Sequence, residues 1–94
     1  MEDCIFCSII KGNISAEILY EDDRVLAFKD VNAQAPEHFL VIPKDHISTA
    51  NDATDEALMG RLSITAAKIA KEHKFSENGY RLVMNCNSDG GQTV

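Results

Sequence analysis

The chain has 94 residues, 45% of them hydrophobic and 26% charged, which is enough for one small domain with a single core and little surplus stability. Fifteen acidic residues against nine basic ones leave a net charge of −6, and a polyanion-binding surface needs clustered Lys and Arg, so the balance argues against DNA or RNA as a partner. It does not argue against a single phosphate, which backbone N–H groups and a few hydrogen bonds can hold without a basic field.

The opening run MEDCIFCSII starts acidic, and its apolar part is too short for a signal sequence or a membrane span. The expected location is therefore cytoplasmic, with no membrane partner. Cys4, Cys7 and Cys86 are an odd number of thiols in a reducing compartment, so no disulfide framework is expected. Residues 4–10 carry apolar side chains at Ile5, Phe6, Ile9 and Ile10, a spacing that predicts a short amphipathic helix ending near Gly12 and Asn13. AEILYEDDRVLAFKD reads as two short strands around an acidic turn at 21–24. Val25, Leu26, Ala27 and Phe28 are apolar in succession, so the second strand is expected to be covered on both faces.

VNAQAPEH is a connection in which Pro36 pushes Ala35 towards extended geometry. HFLVIP is the strongest strand signal in the chain, stopped by Pro43, and DHISTANDA is irregular. Thr54, followed by Asp55 and Glu56, is the expected N-cap of a long helix, with acids where the helix dipole favours them. Leu58, Leu62, Ala66 and Ile69 fall on one face of that helix, which runs to about Lys74, with Met59 and Ala70 beside the stripe. Lys71, His73 and Lys74 occupy its last turn. YRLVMN alternates and predicts one more strand before a terminal loop. Hairpins and single helices without regular βαβ alternation predict an α+β fold on an antiparallel sheet, in a single domain over residues 1–94.

Four groups of residues are candidates for chemistry. In SDGGQT, Gly90 and Gly91 permit close backbone approach to an anion, while Gln92 and Thr93 add an amide and a hydroxyl; a glycine turn between two strands is the plainer reading. The C-x-x-C pair Cys4 and Cys7, with His46, supplies three of the four ligands of a tetrahedral zinc. Neither His38 nor His73 is an obvious fourth, and a buried free cysteine in an apolar helix explains the pair as well. Asp30 ends the strand VLAFKD, where a carboxylate can accept ribose hydroxyls or simply start a turn. His38 stands at the mouth of the HFLVIP strand, where an imidazole can relay a proton or be a satisfied structural group.

Taken together and in order, LAF-x-D, AP-x-HFLVIPK-x-HI and N-x-x-x-x-GGQ-x-V make the chain resemble the histidine triad superfamily. Within it the chain is similar to the nucleotide-binding branch, the purine nucleoside phosphoramidate hydrolases. The resemblance runs from Cys4 to Val94, with residues 47–77 generic. It implies an α+β domain that forms a homodimer through the long helix and a neighbouring strand, and a purine nucleotide (AMP-like) ligand. Ile5, Phe6, Ile9, Phe28, Lys29 and Val31 would border the purine, and Asp30 would accept the ribose hydroxyls. Asn85, Gly91, Gln92, Thr93 and Val94 would surround the α-phosphate, with Gln92 and Thr93 nearest the scissile bond. His38 would be a supporting histidine packed against the catalytic strand.

In that family a strand bearing His-x-His-x-His follows the Gly-Gly-Gln loop, and its middle histidine attacks phosphorus to give a nucleotidyl-histidine that water hydrolyses. Residues 1–94 stop before such a strand, so the expectation is a HIT domain lacking its catalytic strand and tail, inactive by itself. No cofactor is required for the expected catalysis. Cys4, Cys7 and His46 also match the zinc-binding version found in some members of the family, where a further histidine is the fourth ligand of a structural zinc. Thr93 stands where serine is frequent, and Lys29 at a variable position. Three other readings stand beside the hydrolase: a dinucleoside polyphosphate hydrolase of the same superfamily, a non-catalytic nucleotide- or partner-binding module, and a small zinc-binding structural domain.

Overall fold

The computed structural model describes residues 4–30, 38–47, 49–73, 77, 79–90 and 92. The chain divides into two compact units, Met1–His46 and Ile47–Val94.

In the first unit, helix α1 (Ile5–Ile10) is capped by Cys4, whose extended backbone lets its sulfur accept from the Cys7 N–H. It ends as predicted: Gly12 takes φ +82°, a conformation glycine adopts without a Cβ penalty, and donates its N–H to the Ile9 carbonyl. Strands β1 (Ile18–Glu21), β2 (Val25–Lys29) and β3 (Phe39–Pro43) form an antiparallel sheet in the order β1-β2-β3. The hairpin turn is organised by Asp22. One oxygen of its carboxylate accepts from the N–H groups of Arg24 (2.8 Å) and Val25 (2.9 Å), and the other accepts from the Tyr20 hydroxyl (2.7 Å). This is the local bonding by which aspartate favours turns.

The β2–β3 register pairs Leu26 with Ile42, Phe28 with Leu40 and Lys29 with Phe39. Leu26, Phe28 and Ile42 form the buried centre of one sheet face, and Phe6, Ile9, Ile10, Ala16 and Leu40 pack against it. Val25 and Ala27 point to the other face and are buried too, so β2 is covered on both sides, as its apolar run predicts.

In the second unit, a short 3₁₀ turn (Ala50–Asp52) precedes helix α2 (Glu56–Glu72). The cap of α2 is Asp55 and not Thr54: at φ −100° and ψ 99° its carboxylate reaches the Leu58 N–H at 3.0 Å. Leu58, Ala66, Ile69 and Ala70 are buried as the apolar stripe predicts, and Thr65 is buried among them. His73 closes the helix by donating its N–H to the Ile69 carbonyl. Lys74, expected in the last turn, lies outside the described residues.

One predicted element is corrected. Residues 80–85 do not form a strand. Alternation of apolar and polar side chains makes a segment able to pair, but a strand exists only where a neighbour supplies the ladder hydrogen bonds, and none pairs with this segment among the described residues. Its apolar side chains are accordingly exposed: Leu82 by 54%, Val83 by 66% and Met84 by 57%. No helix among the described residues is long and apolar enough to cross a membrane.

Candidate functional site

Two groups of predicted site residues come together in the first unit. At the start of α1, the capping geometry that places the Cys4 sulfur over the Cys7 N–H also brings it beside the Cys7 side chain. His46, just after β3, completes the group, with its Nδ1 at 3.3 Å from the Cys7 sulfur. The three donor atoms lie within 4.8 Å of one another. Zinc bonds of about 2.3 Å to sulfur and 2.0–2.1 Å to nitrogen put tetrahedral ligands roughly 3.5–3.8 Å apart, so the set suits such an ion after a small contraction. All three cysteines carry free thiols. Burial is the largest influence on Cys4 and opposes its ionisation, yet hydrogen bonds from the Cys7 N–H, the Cys7 thiol and the Phe6 N–H outweigh it and hold the Cys4 thiol below its ordinary value. The hydrogen bond to Cys4, then burial and the charge of Cys4, push the Cys7 thiol up.

The second group lies along the α1-covered face of the sheet. Phe6 and Phe28 meet as a tilted pair with centroids 6.2 Å apart and ring planes at 57°, and Ile9 packs on the same cluster. Two residues beyond Phe28 on the same side of the chain is Asp30, just past the end of β2. Its carboxylate Oδ2 lies 3.4 Å from His38 Nε2, at the start of β3. An apolar wall therefore passes into a carboxylate within one strand repeat. Ile5 is exposed and lies outside this cluster. Lys29 points to the opposite side from Phe28, with its Nζ 3.1 Å from a Glu17 carboxylate oxygen. Val31 lies outside the described residues.

In the second unit, the chain from Asn87 to Gln92 closes on itself. Gln92 donates its N–H to the Asn87 carbonyl (3.0 Å), and its side-chain Oε1 accepts from the Asn87 N–H (2.6 Å). Residues Ser88–Gly90 make a 3₁₀ turn between them, and Asn87 takes the left-handed φ of 60°. The sequence reading placed the special backbone at the glycines and passed over Asn87, although asparagine is among the non-glycine residues that tolerate this conformation. Asn85 is exposed just before the loop. Gly91, Thr93 and Val94 lie outside the described residues.

Comparison with known proteins gives this geometry its context. The HIT domain model matches residues 11–94. The chain is 48% identical over 95 aligned residues to the purine nucleoside phosphoramidase of Escherichia coli K12, covering 99% of this chain and 80% of that protein. It is 52% identical to an uncharacterized HIT-like protein of Synechococcus elongatus, across 99% of this chain and 82% of that one. Among solved structures, a HIT family hydrolase from Legionella pneumophila superposes with a TM-score of 0.94 at 49% identity, over 98% of this chain and 84% of the other. With the domain match and these likenesses running along nearly its whole length, the chain belongs to the HIT domain family.

Proposed function

We propose that the protein is a hydrolase of purine nucleoside 5′-phosphoramidates, cleaving the P–N bond to give the nucleoside monophosphate and an amine. The observation that carries this reading is the order of side chains along one face of β2: the buried Phe28 ring paired with the half-buried Phe6, then the Asp30 carboxylate, the order in which a nucleoside presents its base and its ribose hydroxyls. The 48% identity to the Escherichia coli phosphoramidase supports the choice of reaction.

In this reading Ile9, Phe6 and Phe28 hold the purine and Asp30 accepts the ribose hydroxyls. By the family resemblance Asn85, Gln92 and Thr93 are assigned to the phosphate, where N–H groups and hydroxyls stabilise charge on the oxygens as the bond to phosphorus changes. A histidine nitrogen attacks phosphorus, the amine leaves with a proton, and water then displaces the histidine. In this reading the attacking group is a histidine of the His-x-His-x-His motif that the family resemblance implies, and His38 is assigned to its support. A structural zinc on Cys4, Cys7 and His46, whose donor chemistry fits it, would tie the start of α1 to the end of β3. The same reading takes the protein as a cytoplasmic homodimer.

The test is calorimetric titration of AMP into residues 1–94, with ³¹P NMR of adenosine 5′-phosphoramidate as the second arm. The reading expects AMP binding without turnover by these residues, and P–N cleavage once a His-x-His-x-His segment is joined to them. Failure to bind AMP, or turnover by residues 1–94 alone with contaminating enzyme excluded, would refute it.

A further inference from the structure

Along the α1-covered face of the sheet, the cross-strand pairs run Leu26 with Ile42, then Phe28 with Leu40. The same register continues one step past the strand ends. Asp30 donates its backbone N–H to the His38 carbonyl at 3.1 Å, so the two residues stand directly opposite each other. Opposed residues of an antiparallel pair project their side chains to one face with Cβ atoms roughly 4.5–5.5 Å apart, close enough for a carboxylate and an imidazole to meet. They do meet, at 3.4 Å between Asp30 Oδ2 and His38 Nε2, with the two side chains only 19% and 27% exposed.

We propose that His38 is a positioning residue for sugar recognition: across the β2–β3 ladder it orients the Asp30 carboxylate towards a vicinal diol, and so sets a preference for ribonucleotides over 2′-deoxyribonucleotides. The inference rests on the nucleotide reading above and adds to it a role for His38 that is separate from support of the nucleophile. A carboxylate accepts two neighbouring hydroxyls only when its plane is held in one orientation, and an aspartate just beyond a strand end has two side-chain torsions to fix. The imidazole restrains them before the sugar arrives. Orientation gained in advance raises affinity for the ligand that uses both oxygens and does little for one that lacks a hydroxyl.

The experiment titrates AMP and 2′-deoxy-AMP into the wild-type protein, His38→Phe, which keeps a ring but has no donor, and His38→Gln, which keeps a donor. The expected wild-type preference for AMP is about tenfold, the value of one hydrogen bond to a charged acceptor. His38→Phe should lose most of that preference, with AMP binding weakened and 2′-deoxy-AMP binding changed by no more than about twofold, and His38→Gln should retain most of it. A His38→Phe protein that weakens both ligands equally, or leaves their ratio unchanged, overturns the proposal. If His38→Phe does not fold by circular dichroism, His38→Leu, which likewise has no donor, replaces it under the same criteria. The nucleotide reading fails separately, in the wild type before any substitution, if neither ligand binds, and the proposal falls with it. A wild type that binds both ligands equally overturns the proposal alone.

Discussion

Replacing Phe28 by alanine empties the centre of the face that α1 covers. The ring is 4% exposed, clustered with Leu26 and Ile42, and in contact with Phe6 at 6.2 Å between centroids. Removing it forfeits the burial of a large apolar side chain, roughly 1.5–3 kcal/mol, and the cavity left behind raises the cost to about 3–5 kcal/mol. A chain of 94 residues has on the order of 5–14 kcal/mol of stability in all, so this single change consumes a large share of it. The neighbouring Lys29→Ala is the control. It deletes an ion pair to Glu17 whose side chains are 54% and 66% exposed, and such pairs contribute at most about 1 kcal/mol. Urea unfolding followed by circular dichroism separates the two. With a slope of about 1–3 kcal/mol per molar urea, Phe28→Ala should lower the midpoint by about 1 M or more at unchanged slope, and Lys29→Ala by much less. Equal midpoint shifts, or a loss below about 1 kcal/mol for Phe28→Ala, would refute the assignment of this face as the core.

The Cys4 thiol, held below its ordinary value while Cys7 is pushed up, should react first with iodoacetamide at pH 8, since the thiolate is the nucleophile; peptide mapping of the alkylated protein showing Cys7 modified first would contradict the geometry at the start of α1. Zinc added to the reduced protein should raise its unfolding temperature and slow alkylation of both thiols, and Cys7→Ser should remove both effects; a stoichiometry far below one zinc per chain would remove the metal from the account. Asp55→Ala should cost about 1 kcal/mol in urea unfolding, and Thr54→Ala markedly less, because the carboxylate of Asp55 caps α2.

The parts of the fold legible in the sequence are those in which local chemistry decides the outcome. The Val25–Phe28 run, the acidic turn at Asp22 and the stripe from Leu58 to Ile69 each carry their own reason in neighbouring residues, and each forms as expected. The N-cap of α2 falls one residue from its expected place because Thr54 and Asp55 are both good caps, and only backbone geometry chooses between them. The strand expected at 80–85 fails for a different reason: alternation reports the ability to pair, while pairing depends on a neighbour that the segment's own sequence does not specify. The candidate site divides the same way. Cys4 and Cys7 announce themselves by spacing, since one helical turn brings them together. Asp30 and His38 are separated by seven residues of connection, and only the β2–β3 register reveals that they face each other. The left-handed Asn87 is visible in retrospect as an asparagine ahead of a glycine loop, but nothing local distinguishes it from Asn85.

The most direct test of the whole account is a crystal structure of the protein with AMP. The account predicts the adenine against the Phe6–Phe28 pair and both ribose hydroxyls on the Asp30 carboxylate, with His38 Nε2 still beside it. A nucleotide seated elsewhere, or one whose sugar turns away from Asp30, would contradict it.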